Sequence, residues 1–173
     1  EADVSIHSRL AADAAGATKM DRPEWTGVHP LTAEVYVTLT NNADRGKAGK
    51  YGLDPANPRY YEDASGKKGN LNGHIIRIRE EGNEPSATAF AWDVYLFGAP
   101  SDSGTVNISG LGAENDFSGP DGLFFSQASK GLMWIQTDDS AYTRTSNCMM
   151  LAALPGAYGD GEGLRVTSRA VPY

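Results

Sequence analysis

Two stretches of the chain, RPEWTGVHPLTAEVYVTLTNN (residues 22–42) and GPDGLFFSQASKGLMWIQTDD (residues 119–139), repeat one pattern of residue types. Each opens with a proline and an acid, which are Pro23-Glu24 in the first copy and Pro120-Asp121 in the second. An apolar run, a short turn and a second apolar run with a central aromatic residue, Tyr36 or Trp134, follow. The copies are offset by 97 positions at the proline and by 98 at the aromatic residue, so one residue is inserted in between.

Each copy precedes two further runs rich in β-branched and aromatic residues, which favour strands. The strand-like runs are 34–41, 74–81 and 88–97 in the first half, and 122–126, 131–139, 148–154 and 164–171 in the second. A four-stranded antiparallel unit that opens with a Pro-acid pair and a hairpin is typical of a β-propeller blade. The sequence therefore predicts an all-β fold, a partial β-propeller of about two blades. A plain β-sandwich with chance similarity between two hairpins is the alternative.

We expect one domain over residues 1–173 that is a fragment of a larger propeller. Its parts are a helical segment at 1–20, blade 1 at 21–98 and blade 2 at 99–173. The Ala-rich HSRLAADAAGATKM predicts the short N-terminal helix. Residues 43–73 are rich in Gly, Asn, Pro and Lys and lack periodicity, so they predict a long functional or mobile loop inside blade 1.

Two blades are too few to close a propeller, which takes about four to eight. Their sheet faces would expose apolar area to water at about 25 cal/mol per Å². We therefore expect the chain either to be part of a longer protein or to complete its core by self-association as a homo-oligomer.

Charge and composition exclude several classes of function. The net charge of −7 disfavours nucleic acid and anionic membrane surfaces as partners. No apolar run in residues 1–173 approaches the roughly 18–20 residues that span a bilayer, and these residues do not show a signal-peptide pattern. Cys148 is the single cysteine, so no internal disulfide forms. Zinc-hydrolase, serine-esterase and P-loop motifs are absent, and the three histidines lack metal-ligand spacing.

Arg22 and Glu24 are the main candidate site residues. They are two apart in KMDRPEW (residues 19–25), so on an extended backbone they point to the same side. A guanidinium can fork onto two phosphate oxygens, and a glutamate is a hard ligand for calcium or ferric iron. The alternative, which the residues alone favour, is an exposed salt bridge from Arg22 to Asp21 or Glu24.

Other polar residues occupy equivalent places in the two copies. Asp121 corresponds to Glu24, and blade rotation would bring both to one height on the channel axis. Pro-Asp-Gly is also common turn chemistry, so a turn is the favoured interpretation of Asp121.

Two pairs end equivalent strands, Asn41 and Asn42 in the first copy and Asp138 and Asp139 in the second. Their oxygens could ligate calcium or simply close a turn, and both interpretations stay open.

The stretch RLAADAAGATKMDRPEWTGVHPLTAEVYVTLTNN, followed by NPRYY, NGHIIRIRE, FAWDVYLFG, FSGPDGLFFS, LMWIQTDD and NCMMLA, resembles the PhoX-type bacterial alkaline phosphatases. The match runs in order from about residue 9 to 154; DRPEW and LTNN together are specific, whereas PDGL alone is weak. The resemblance implies a periplasmic or secreted β-propeller that hydrolyses phosphomonoesters. It also implies twin-arginine export and iron and calcium as cofactors.

The same resemblance implies roles for individual residues. Arg22 would contact the substrate phosphate, and Glu24 would ligate a metal. Trp134 is the candidate for a tryptophan that lines the pocket, with packing in the core as the alternative. The resemblance implies that the family's cysteine ligand lies upstream of these residues, so Cys148 is not assigned to it, and that further C-terminal blades lie outside residues 1–173. The resemblance therefore implies part of a phosphatase, which we expect to be inactive as an isolated chain.

Two other functions remain open from the sequence. PDGLFFSQASKGLMWI also resembles calcium-dependent lactonase propellers, which hold one ion with Glu, Asn and Asp. A two-blade fragment could also be non-enzymatic.

Overall fold

The computed structural model describes residues 2–138, 148–156 and 166–169. Within these ranges it contains the helices α1 (Ala2–Ile6) and α2 (Ser8–Ala14) and the strands β1 (Pro23–Val28), β2 (Val35–Leu39), β3 (Tyr61–Glu62), β4 (Lys68–Gly69), β5 (His74–Glu80), β6 (Phe90–Phe97), β7 (Pro120–Phe125), β8 (Met133–Thr137), β9 (Met150–Ala153) and β10 (Val166–Arg169). Single 3₁₀ turns cover Glu81–Asn83 and Gly104–Val106. The predicted all-β class with a short N-terminal helix is confirmed.

Eight of the ten strands in the described residues belong to two four-stranded antiparallel sheets. Sheet 1 has the order β1-β2-β5-β6 and sheet 2 the order β10-β9-β8-β7, while β3 and β4 pair separately. Strands adjacent in sequence are adjacent in each sheet, apart from the inserted β3–β4 hairpin. Sheet 1 falls within the predicted blade at 21–98, and sheet 2 within the predicted blade at 99–173.

The sequence repeat is also a repeat of strand register. Equivalent pairs are Pro23–Leu39 and Pro120–Thr137, Thr26–Val37 and Leu123–Ile135, and Val28–Val35 and Phe125–Met133. In both sheets the register shifts directly after the proline, as at a β-bulge. The inserted residue lies in the hairpin loop, because residues 126–132 join β7 to β8 whereas the shorter stretch 29–34 joins β1 to β2.

The main core lies where sheet 1 faces sheet 2. Tyr36 of β2 meets Tyr95 and Phe125 edge-on, with ring centroids 5.3 and 5.4 Å apart. Sheet 2 contributes the buried side chains of Leu123, Met133, Ile135 and Leu151. A Cβ on Gly27 would clash with a Leu123 methyl carbon, so the glycine allows β1 to approach β7 closely. This approach brings the starts of the two repeats together.

Residues 43–73, predicted from the sequence as a long functional or mobile loop, contain the β3–β4 hairpin and several packed polar side chains. Arg45, Asn57, Arg59 and Asn70 are all buried. Arg59 donates to the carbonyl oxygens of Gly73 and Gly98, both at 2.7 Å, and so ties the loop to sheet 1. The loop is held by long-range polar contacts, which hydrophobic periodicity does not reveal.

Asp21 is the centre of this polar cluster and has no exposed surface. Its Oδ1 accepts hydrogen bonds from Asn42 Nδ2 and Arg45 Nε, both at 2.8 Å. Its Oδ2 accepts from Asn70 Nδ2 at 3.0 Å, and its backbone N–H donates to Asn57 Oδ1 at 2.9 Å. A buried carboxylate needs such partners because it has lost its hydration. The partner cation of Asp21 is therefore Arg45, not Arg22.

His74 completes the cluster at the start of β5. Its Nδ1 lies 3.0 Å from the Asn70 amide nitrogen and its Nε2 lies 2.7 Å from the carbonyl oxygen of Ala56. An amide nitrogen donates and a carbonyl accepts, so the ring is neutral with its proton on Nε2. Burial lowers the pKa of His74 to about 4, and the nearby Arg59 acts in the same direction.

The folding stability of the chain should fall as the pH drops from about 6.5 towards 4. Over this range the unfolded state binds a proton at His74 that the folded state rejects, which amounts to roughly 3 kcal/mol at the lower limit. Denaturant unfolding at a series of pH values measures this. His74→Gln should flatten the profile in that range, whereas the exposed control His7→Gln should not. An unchanged profile for His74→Gln contradicts the assignment.

Both outer sheet faces carry exposed apolar side chains. On sheet 1 these are Val28, Phe90 and Trp92, and on sheet 2 they are Phe124 and Met150. Successive side chains of a strand point to opposite faces of the sheet. The strand pairings therefore put these residues on the face that is not buried between the two sheets. In the described ranges, no helix has the length and apolar character needed to cross a membrane.

The isolated chain should therefore self-associate. Sedimentation velocity should show species larger than a monomer, because association removes the outer faces from water. Phe124→Lys combined with Met150→Lys should shift the chain towards monomer, whereas Val4→Lys, on exposed α1, should not. A compact wild-type monomer at all concentrations would rule this expectation out.

Candidate functional site

Arg22 lies directly before β1 with its side chain 55% exposed. Its Nη1 donates to Asn41 Oδ1 at 3.0 Å, and its Nη2 pairs with Glu24 Oε1 at 3.3 Å. These bonds use two of the five guanidinium N–H groups. The ion pair expected from the sequence is present with Glu24, and the remaining donors can reach an oxyanion from solvent.

The backbone at Arg22 adopts a left-handed conformation, with φ at 52°. This conformation costs a non-glycine residue about 1–2 kcal/mol. The carbonyl of Arg22 accepts from the N–H of Thr40 at 3.2 Å; at the equivalent place in sheet 2, the carbonyl of Gly119 accepts from Asp138 at 3.0 Å. Gly119 has φ at 63°. The repeat thus requires a left-handed residue here, and the first copy uses arginine where the second uses glycine.

Two threonines, Thr38 just before the LTNN box and Thr40 within it, join the Pro-acid segments of the two sheets. The hydroxyl of Thr38 accepts from the N–H of Trp25 at 2.9 Å and donates to the carbonyl of Asp121 at 2.6 Å. Two residues on, the hydroxyl of Thr40 donates to the carbonyl of Pro120 at 2.9 Å. Neither threonine is predicted as a site residue from the sequence, although a spacing of two along an extended backbone places both side chains on one face.

Asp121 lies in β7, so the favoured interpretation of Pro-Asp-Gly as a turn is wrong. The strand begins at Pro120 because that residue pairs with Thr137, while Thr40 bonds its carbonyl. The pKa of the Asp121 carboxyl is raised by burial, and next by the carboxylates of Glu24 and Asp138. The Arg22 guanidinium acts in the opposite direction. Three acids and one arginine therefore interact where β1 meets β7.

The carboxylates suit a hard cation, because a positive ion would offset their mutual repulsion. Among the residues that the structure describes, however, no three His, Cys, Asp or Glu side chains are close enough to hold a metal ion. Glu24, Asp121 and Asp138 could thus provide part of a ligand set that needs further donors.

The other candidates are distributed differently. Asn41 contacts Arg22, whereas Asn42 bonds Asp21 and the backbone of Asp44 and so is structural. Trp134 is half-buried in β8, beside exposed Phe124, on the face of sheet 2 that points away from sheet 1. The structure does not place Trp134 in the Arg22 cluster. Asp139 lies outside the described residues.

A cleft of about 620 Å³ opens on another side of Arg22. Its lining includes Arg9, Asp13 and Lys19 from α2 and the segment that leads into β1, together with Arg45 and Tyr51. Arg22 and Pro23 border the cleft. Arg22 is thus shared between the acidic cluster and this cleft.

Comparisons with known proteins agree on one family. The family model described as "Alkaline phosphatase PhoX" matches residues 1–168. Among solved structures, the chain is similar to Pseudomonas fluorescens PhoX in complex with vanadate, a transition state analogue, with 39% identity and a TM-score of 0.74. The similarity covers 95% of this chain but 28% of that protein. No curated protein matches the chain.

The strain at Arg22 gives a stability prediction. Arg22→Gly and Arg22→Ala lose the same side-chain contacts, but glycine relieves the left-handed conformation, so the glycine variant should be more stable by about 0.5–1 kcal/mol. Denaturant unfolding measures the difference. At exposed Thr26 in β1, the control pair Thr26→Gly and Thr26→Ala should show the opposite order. Equal stability of the two Arg22 variants would contradict the strain.

Proposed function

Because the chain belongs to the alkaline phosphatase PhoX family, we propose that it provides the phosphate-binding part of a longer phosphomonoesterase. The observation that carries this proposal is Arg22, a strained residue held by Asn41 and Glu24 beside an acidic cluster. The equivalent glycine in sheet 2 shows that the fold does not need an arginine there. Retention of a costly side chain at such a position indicates a functional role.

Arg22 would bind the phosphoryl group of the substrate. Its planar guanidinium group can donate two parallel N–H bonds to phosphate oxygens. In phosphoryl transfer, negative charge spreads over the three equatorial oxygens, so a fixed guanidinium stabilises the transition state. Asn41 and Glu24 would hold the guanidinium in place and so reduce its reorganisation during the reaction.

We propose that Glu24 is a metal ligand, with Asp121 and Asp138 nearby as further oxygen donors. The family resemblance implies calcium and iron, and carboxylate oxygens suit both. A metal bound there would supply Lewis-acid polarisation of the phosphoryl oxygens. The described residues provide an incomplete ligand set, which is consistent with an isolated chain that is inactive.

The proposal extends to the substrate class, the location of the protein and the role of Trp134. The substrate class is a phosphomonoester, and the protein would act in the periplasm or outside the cell after twin-arginine export, as the resemblance implies. Trp134 remains a candidate pocket residue whose place on the outer face would require a neighbouring segment to complete the pocket. The lactonase alternative is not favoured, because the family match and the vanadate-bound relative both concern phosphatases.

Replacing Arg22 by Ala in the full-length enzyme that carries this chain should lower kcat/KM for p-nitrophenyl phosphate by about 10²–10³-fold. Vanadate inhibition should weaken in parallel, because the same N–H groups would bind the analogue. Arg22→Lys should fall between, since it keeps the charge and loses the fork. The control Lys68→Ala removes an exposed cation that pairs with Glu62 and should leave both parameters unchanged. Wild-type kinetics in Arg22→Ala would remove Arg22 from the site.

A further inference from the structure

We propose that the cleft beside Arg22 binds a second anionic group on the leaving group of the substrate. The inference rests on the proposed function and adds the substrate class: phosphomonoesters whose alcohol carries another phosphate or a carboxylate. It is drawn from the position of the cleft, the charges that line it and the location of the acids on the other side of Arg22.

The cleft has the size and position of a leaving-group subsite. Its volume of about 620 Å³ is within the roughly 300–1,000 Å³ typical of small-molecule sites. Arg22 borders it, so an ester whose phosphate is held by Arg22 has its alcohol portion next to the cleft. Tyr51 also lines the cleft, and its ring packs against Arg45 with the guanidinium carbon 5.8 Å from the ring centre.

The lining of the cleft is cationic, although the whole chain carries a net charge of −7. Its charged residues in the described part of the chain are Arg9, Lys19, Arg22 and Arg45, against the anion Asp13. Arg45 is committed to Asp21 and Asp54, at 2.8 and 3.2 Å. Arg9 and Lys19 are therefore the cations that can reach a ligand.

Lys19 is only weakly held in its present contact. Its ammonium lies 3.4 Å from the Asp13 carboxylate, and both side chains are more than half exposed. Exposed pairs of this kind contribute little, so an anionic ligand can take the place of Asp13. Arg9, on α2, also lines the cleft and can contact the same anion.

The acids near Arg22 restrict the direction in which such a substrate binds. Glu24 and Asp121 would repel a second negative group, whereas Arg9 and Lys19 would attract it. A doubly anionic ester is therefore bound in one orientation, with its reacting phosphate at Arg22 and its other anion in the cleft. A neutral alcohol gains nothing from these two cations.

Two phosphomonoesters with the same three-carbon frame test the inference. Glycerol 3-phosphate has a neutral leaving group, and 3-phosphoglycerate has one that carries a carboxylate. In the full-length enzyme that contains this chain, the ratio of kcat/KM for 3-phosphoglycerate to that for glycerol 3-phosphate is the readout. Arg9→Gln combined with Lys19→Gln should lower this ratio about three- to tenfold. The matched control Lys68→Gln, a cation outside the cleft, should not change it.

The outcomes separate the inference from the proposed function. A lower ratio caused mainly by a loss on 3-phosphoglycerate, with glycerol 3-phosphate turnover retained, supports the subsite. If both esters are hydrolysed and the double variant has the wild-type ratio, the subsite is overturned and the phosphatase function stands. If the wild-type enzyme hydrolyses neither ester nor p-nitrophenyl phosphate, the proposed function and the subsite are both overturned.

Discussion

The buried carboxylate of Asp21 is the constraint on which the described structure around the site depends. Because the carboxylate is removed from water, hydrogen bonds from Arg45, Asn42 and Asn70 must compensate its lost hydration. Two of these partners belong to residues 43–73, which explains why a long polar segment without periodicity is folded against sheet 1. Since Asp21 is joined to Arg22 by one peptide bond, the cluster that saturates Asp21 also fixes the backbone from which Arg22 projects.

The comparison between the two repeats separates what the fold requires from what the site requires. Both copies need a left-handed residue before the proline, because its carbonyl accepts the bond that ends the β1–β2 or β7–β8 ladder. Glycine meets the requirement at position 119 without strain. At position 22 an arginine meets it, and its side chain is the one directed to Asn41 and Glu24. The shared backbone conformation at positions 22 and 119 therefore reports on the fold, whereas the difference between arginine and glycine reports on the site.

Much of the sheet structure could be predicted from the sequence, because strand alternation and a fixed offset are local signals. The offset of 97 and then 98 even locates the insertion in a hairpin loop. The packing of residues 43–73 could not be predicted, since Arg59 and Asn57 are bonded to groups far along the chain. The sequence predicts a turn at Asp121 because Pro-Asp-Gly is a strong local signal, but the pairing of β7 with β8 and the bond from Thr40 to Pro120 override it.

The carboxylates around Arg22 also make phosphate binding depend on added positive charge. Glu24, Asp121 and Asp138 raise the local negative potential, which disfavours a phosphate dianion unless positive charge is added. One guanidinium that is already paired with Glu24 cannot offset three carboxylates. Bound cations would reverse this balance and would leave Arg22 available to the substrate. Under the proposed function, metal ions held partly by residues outside the described ranges would convert this repulsive edge into a phosphate site.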